Sequence, residues 1–376
     1  MKTIIGAVIL ACLSTEAQAL DISKVPESDW IQLFNGKDIK DWTPKIVGTV
    51  AGQDPLQTFR VQDSILYVDY KNYGGQFNGR YGHLSYHKRQ FSYYLFHVES
   101  NHWGDKQTPG GPGWAYENNG VMYHSQSMES MGLNQEFPDS FEYQLLGESN
   151  KLNTGAPGSG TTANVCGVGN SIFLDGKRQS PQCYNAKHVQ IDSSHWVVTE
   201  GLILGDSIVK HMVAPNPTVK VDTVLTYTKL QHSNGTPMNT GYIDIQGEST
   251  PWKFKVIKVL DLEGCMDSKY TSYRSYFIKS KPSACANTVK ILSKPVPDGF
   301  SIASTPQGLR VIPGAGAAYE YKVLDLAGKV VGKSASSLSS ERMIPTQGFK
   351  KGIYFLEILT GHETYRSQFP VLASNN

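Results

Sequence analysis

With 376 residues the chain exceeds one average domain and suits a large unit followed by a smaller one. Thirty-five Lys and Arg against 33 Asp and Glu leave a formal net charge of +2 with no basic run, which argues against a nucleic-acid partner. Charged residues make up only 18% and aromatics reach 11%, with 36 Gly and 19 Pro: the composition of many short strands joined by turns, not of long helices.

The first nineteen residues, MKTIIGAVILACLSTEAQA, carry one Lys, an apolar run from Ile4 to Leu13 and the small-residue end Ala17-Gln18-Ala19. That is the pattern of a signal peptide, residues 1–19. A lipid anchor at Cys12 is disfavoured, because Cys12 lies inside the apolar run. No later stretch approaches the roughly twenty apolar residues of a membrane span, so the expectation is an exported protein, secreted or held at the cell surface.

From Trp30 to Leu262 the chain reads strand, turn, strand. TFRVQDSILYVDY, FSYYLFHVES, NNGVMYHSQ, SFEYQLLG, HWVVTEGLILGDSIVKHMV, TGYIDIQGE and WKFKVIKVLDL alternate in polarity, each bounded by Gly, Pro, Asn or Asp. Such a series predicts an all-β, two-sheet jelly roll of the lectin and glucanase kind over residues 20–263. Two inserts, 101–118 and 147–190, are rich in Gly, Pro, Asn and Ser and read as long loops, the sort that carry function.

Without the leader, Cys166, Cys183, Cys265 and Cys285 remain, an even number in a chain bound for an oxidising compartment, which predicts two disulfides. Three pairings are open; the local one, Cys166 with Cys183 and Cys265 with Cys285, closes two short loops. A zinc site is disfavoured by the absence of close Cys or His spacing. Residues 264–286 read as a Cys-closed linker, and 287–376 as a small C-terminal β-sandwich. Within the latter, YEYKVLDLAGKVV followed by GIYFLEI resembles the C-terminal sorting domains of the type IX secretion system. That resemblance implies an address read by secretion machinery, with no chemistry of its own.

Six motifs occur in order: WIQLFNGKDIKDW, NNGVMYH, FPDSFEYQLLG, TTANVCGVG, IVKHMV and GYIDIQGESTPWKFKVIKVLDL. Together they resemble the 3-keto-disaccharide hydrolase domain family over about residues 28–262. The resemblance implies a concanavalin-like jelly roll and cleavage of glycosides oxidised to a ketone at C3 of one sugar.

Alternation nominates the site. In FEYQLL, Phe141, Tyr143 and Leu145 point one way while Glu142 and Gln144 point the other; in YIDIQGE, Asp244, Gln246 and Glu248 lie opposite Ile243 and Ile245. His124, His211 and Glu99 are placed on polar faces of other motif strands. Glu99, His124, Glu142, Gln144, His211, Gln246 and Glu248 would then line one carbohydrate cleft, with Trp103, Trp114 or Tyr116 able to stack on a sugar ring.

A ketone at C3 acidifies the proton on C2, so a base there starts an elimination that expels the oxygen at C1, with hydration of the product to follow. The site needs that base, a proton donor at the leaving oxygen and a stabiliser of the enolate. Glu142 is expected as base or metal ligand, with Gln144 beside it, and His124 as acid or enolate partner, since imidazole exchanges protons near neutrality. Many family members carry Arg where this chain has His124, which makes that residue's part the weakest point of the resemblance. No cofactor is otherwise required, though a divalent cation held by His211 and carboxylates would polarise the ketone.

The sequence has no Gly-x-Ser-x-Gly elbow, Walker motif or His-Glu-x-x-His. The Glu-x-Asp-x-x-Glu pattern of retaining glucanases is interrupted by Gln144, which disfavours a two-carboxylate glycosidase. Two alternatives stay open: a carbohydrate-binding module with no turnover, and an endo-acting glucan hydrolase on the same fold.

Overall fold

The computed structural model describes residues 25–103, 107–150, 161–179, 183–285 and 300–371, the last without 306–307, 315–316, 327, 351 and 362. The expected signal peptide lies outside the described residues. Two compact units emerge, one comprising the chain up to 266 with 273–284, the other 267–272 with 285 onward.

The first unit is built of antiparallel strands. In chain order they are β1 (Ile31–Gln32), β2 (Trp42–Ile46), β3 (Phe59–Gln62), β4 (Ile65–Val68), β5 (Gly82–Tyr86) and β6 (Tyr93–His102). Next come β7 (Asn118–Ser125), β8 (Phe141–Leu146), β9 (Asn164–Gly167), β10 (Ser171–Leu174), β11 (Lys177–Gln179) and β12 (Cys183–Tyr184). The series continues with β13 (Val197–Leu204), β14 (Ile208–Ala214), β15 (Asp222–Gln231), β16 (Tyr242–Gly247) and β17 (Trp252–Asp261). A ten-stranded sheet runs β11-β10-β15-β14-β13-β6-β17-β4-β3 with β1 paired to β17, and a seven-stranded sheet runs β12-β9-β8-β7-β16-β5-β2. Two short strands, β18 (Glu263–Gly264) and β19 (Lys279–Ser280), pair in parallel.

The jelly roll expected from sequence is present, and its alternation explains its core. Phe96 and Val98 of β6 meet Val121, Tyr123, Phe141, Tyr143, Ile243 and Ile245 of the other sheet, all buried in one cluster. Burial of each such side chain contributes about 1.5–3 kcal/mol. One expectation fails: 147–190 is not simply a loop, for it contains β9 to β12. β9 and β12 belong to the seven-stranded sheet while β10 and β11 belong to the other, so this segment crosses between sheets and returns. The Cys166–Cys183 disulfide closes that excursion, and Cys265 and Cys285 are also disulfide-bonded.

The second unit is a small β-sandwich. A three-stranded sheet of β20 (Ser301–Thr305), β21 (Gly308–Ile312) and β24 (Arg342–Pro345) accompanies a four-stranded one. The latter has β22 (Glu320–Leu324), β23 (Val330–Lys333), β25 (Gly352–Thr360) and β26 (Glu363–Val371) in the order β23-β22-β25-β26. Leu309, Val311, Val323, Leu356 and Ile358 form its core. Among the described residues no helix is long and apolar enough to cross a membrane.

Candidate active site

β8 sends Phe141, Tyr143 and Leu145 between the sheets and Glu142 and Gln144 to the outer face of the seven-stranded sheet. β16 repeats this with Ile243 and Ile245 inside, Asp244 and Gln246 outside, and Glu248 just past its end. Register joins the strands: Asp244 is opposite Met122 on β7, Met122 opposite Glu142, and Gly120 opposite Gln144. Side chains about a hundred positions apart in sequence thereby share one face.

A pocket of about 470 Å³ opens there, lined by Glu142, Gln144, Glu248, Asn118, Trp114 and Phe137, with the Cys166–Cys183 disulfide and residues 167–169 as its far wall. Trp114 stacks on Tyr81 with centroids 5.9 Å apart, and Phe137 packs on Tyr81 at 5.0 Å. These rings give an apolar side to a pocket whose other side carries the carboxyls, the shape that accepts a sugar's C–H face. Gly120 lets Glu142 lie flat on β7, since a Cβ there would stand 2.3 Å from Glu142 Oε1. Gln144 Oε1 accepts from Asn164 Nδ2 at 3.0 Å, leaving the Gln144 NH2 group as a donor for a ligand.

The pocket's electrostatics follow from burial. Glu142 is 6% exposed and Glu248 2%, and Glu142 Oε1 and Glu248 Oε2 have no protein hydrogen-bond partner. Loss of solvent raises the Glu142 carboxyl to about 8. Glu248 is pushed well above the usual carboxylate range by burial first and by the charge of Glu142 second. No Arg or Lys is among the lining side chains. The two carboxyls therefore titrate as a pair, with Glu142 the first to ionise as pH rises toward 8.

Residues 126–139 form a strap over the same sheet at its β5–β2 end. Lys45 Nζ donates to Leu133 O at 2.9 Å, and His83 Nε2 lies 3.0 Å from Glu136 O. Burial lowers both, His83 to about 4. Beside them Gln246 is fully buried, with neither amide atom bonded to protein. Sequence reasoning missed Lys45, His83, Asn118 and Phe137; the alternation of WTPKI and GHLSY was the available signal for the first two.

The structure brings Glu142, Gln144, Glu248 and the expected Trp114 into one pocket, places Gln246 on the same sheet face outside its lining, and separates His124, His211, Glu99 and Trp103 from them. His124 is a correction. Between Tyr242 and Asp244 the register with β7 slips by one residue, and His124 itself has a φ of 49°, so this bulge turns its side chain inward. Its Nε2 lies 3.0 Å from Gly205 O, its ring packs on Tyr94, and burial lowers it to about 4. His211 is likewise between the sheets, with Nε2 2.8 Å from the Tyr227 hydroxyl and Nδ1 2.9 Å from Ala163 O. It sits inside because Val209 and Val213, two positions either side, are core residues of β14.

Glu99 faces outward from the ten-stranded sheet; His97 beside it and Lys255, whose Nζ is 2.6 Å away, hold its carboxyl down at about 2. Trp103 packs edge-on against Tyr67 at the end of that same sheet. A cation held by His211 and cleft carboxylates does not fit, since the imidazole lies behind the sheet that carries them. Among the described residues no group of three His, Cys, Asp or Glu is placed to hold a metal ion.

A jelly roll with a buried acid pair in an aromatic-walled pocket defines a carbohydrate-active protein. Residues 29–260 match the 3-keto-alpha-glucoside-1,2-lyase-like domain, and the chain belongs to that family. Residues 294–371 match the secretion system C-terminal sorting domain, which marks the protein for export to a secreted or surface location.

No curated protein matches the chain. Among solved structures it is similar to a candidate glycosyl hydrolase of Parabacteroides distasonis ATCC 8503, at 17% identity and TM-score 0.38, covering 63% of this chain and 97% of that one. A galectin-like Bacillus subtilis protein of unknown function shares 9% identity at TM-score 0.35, covering 62% and 98%. Porphyranase B of Zobellia galactanivorans shares 8% at TM-score 0.35, covering 62% and 92%.

Proposed function

We propose that the jelly-roll domain is an enzyme that cleaves 3-keto glycosides by elimination. The observation that carries this reading is the Glu142–Glu248 pair, two buried carboxyls in one pocket whose interaction raises one above the other. Glu142, the more readily ionised, takes the proton from C2. The electrons of that C–H bond form the enolate across C2 and C3, and its collapse breaks the C1–O bond and leaves a C1–C2 double bond. Glu248, which holds its proton to higher pH, gives it to the departing oxygen. The Gln144 NH2 donates to the C3 oxygen as negative charge gathers there. The acid expected of His124 is thus assigned to Glu248.

Incubation of the purified exported protein with a 3-keto disaccharide and with its unoxidised parent tests this. Turnover of the ketone alone is expected, and Glu142→Gln should lose about 10²–10⁴-fold in rate while still binding sugar. Binding without turnover of either sugar would instead identify a carbohydrate-binding module; release of sugar from unoxidised glucan would identify an endo-acting hydrolase.

A further inference from the structure

Asn118 lines the Glu142 pocket and takes no part in the elimination as derived. It is 2% exposed, and its Oδ1 has no protein hydrogen-bond partner. The other end of the amide fixes its orientation: Nδ2 donates to Trp114 O at 3.4 Å, and since a carbonyl only accepts, the amide oxygen is the end left over. A buried acceptor left unmet is costly unless something that enters the site donates to it.

Register sets the place of Asn118 relative to Glu248. Ile245 is opposite Val121, and counting on along this antiparallel pair puts Glu248 opposite Asn118. Two bonds bracket them: Asn119 Nδ2 donates to Gln246 O at 2.7 Å on one side, and Glu117 N donates to Thr250 Oγ1 at 3.0 Å on the other. Both side chains line the pocket, and residues opposite one another on one face have Cβ atoms about 4.5–5.5 Å apart. Glu248 is read as the donor to the departing oxygen, so the Asn118 acceptor stands beside the departing group. Oxygens on adjacent ring carbons of a sugar lie within hydrogen-bond distance of each other. A carboxyl at the linkage oxygen and an amide oxygen one strand away therefore match that oxygen and the hydroxyl on the next carbon.

We propose that Asn118 is a specificity-determining residue whose Oδ1 accepts from the hydroxyl vicinal to the linkage oxygen on the departing sugar. The inference rests on the reading of Glu248 as the acid, and it narrows the substrate class to glycosides whose departing group is a sugar linked through one of its ring hydroxyls. A sugar linked through its primary hydroxyl has no hydroxyl on the neighbouring carbon, because that carbon carries the ring oxygen. A methyl glycoside has no neighbouring carbon at all.

The test measures binding of unoxidised kojibiose, nigerose, maltose, isomaltose and methyl α-glucoside to the purified exported protein, by calorimetry and by NMR of the ligand. It is joined by kcat/KM on the 3-keto forms of maltose and isomaltose. At least one of kojibiose, nigerose and maltose, each linked through a ring hydroxyl, should bind about 10-fold more tightly than isomaltose and methyl α-glucoside. Asn118→Ala should bring that ratio close to one and leave methyl α-glucoside bound as before. A part for Asn118 confined to holding Trp114 would instead weaken all five probes alike and leave the ratio standing. Should Asn118→Ala not fold, Asn118→Leu, closer in volume, replaces it, and the wild-type ratio decides by itself if neither folds. No preference in the wild-type protein, a preference that survives in a folded variant, or a uniform loss across the probes would each overturn the proposal. Turnover of the 3-keto sugars without an Asn118-dependent preference sinks this inference alone; the preference without turnover sinks the elimination and leaves Asn118 as the reader of a bound disaccharide.

Discussion

Gly120→Ala isolates the positioning of Glu142 from its chemistry. The added Cβ would meet Glu142 Oε1 at 2.3 Å, Cγ at 2.6 Å and Cδ at 2.7 Å, whereas ordinary contact starts near 3.4 Å. The carboxyl must therefore move by about 1 Å, away from β7 and toward the open pocket. Because the obstructing atoms belong to a side chain with room on one side, the stability cost should stay near the low end of the ~1–3 kcal/mol typical of overpacking. A base displaced by that much costs about 10²-fold in rate, or roughly 2.7 kcal/mol of barrier. The assay is kcat/KM on a 3-keto disaccharide, with thermal unfolding to establish that the variant is folded. Wild-type turnover in a folded Gly120→Ala protein would show that Glu142, where the fold holds it, is not the group that takes the proton.

Glu142 keeps its proton to about pH 8 in the folded chain against a reference value of 4.5, so the native state binds more protons in between. Its contribution to stability is full below about pH 4.5 and is lost as pH rises through about 8; unfolding midpoints should fall across that window, and Glu142→Gln should flatten the slope. Cys166 and Cys183 enclose a 17-residue separation, and replacing both by Ser should cost about 3 kcal/mol in urea unfolding and lower turnover, because they wall the pocket. Unchanged turnover in that double variant would remove the disulfide from the site. Trp114→Ala should raise KM about 5-fold, for loss of ~1 kcal/mol of ring contact, with kcat preserved; a fall in kcat alone would refute a binding role.

Strand-by-strand reading was sound where alternation is unbroken. Phe141, Tyr143 and Leu145 are buried and Glu142 and Gln144 lie opposite, as FEYQLL implies. Gln246 and Glu248 were legible for the same reason. His124 was not, because one extra residue in β7 reverses the face on which the rest of the strand falls, and nothing in NNGVMYH marks it. Glu99 shows a different limit: its outward direction is right, but sheet membership depends on pairing between strands far apart in sequence. His211 follows the inward phase of Val209 and Val213, a phase the short motif IVKHMV allows to be read either way. The partner of Glu142 was therefore to be found by register, which only the folded chain supplies.

The disulfide between residues 166 and 183 has a consequence for how such a protein can diversify. Glu142 is opposite Cys166, while the segment the bond encloses travels to the other sheet, where Ser171 pairs with Gln231 and Phe173 with Thr228. The covalent clamp fixes the neck of that segment independently of its contents. Insertions or exchanges at its tip can reshape what the pocket admits while the acid beside the neck keeps its bearing, which makes the segment from 167 to 179 an interchangeable cassette mounted on a fixed socket.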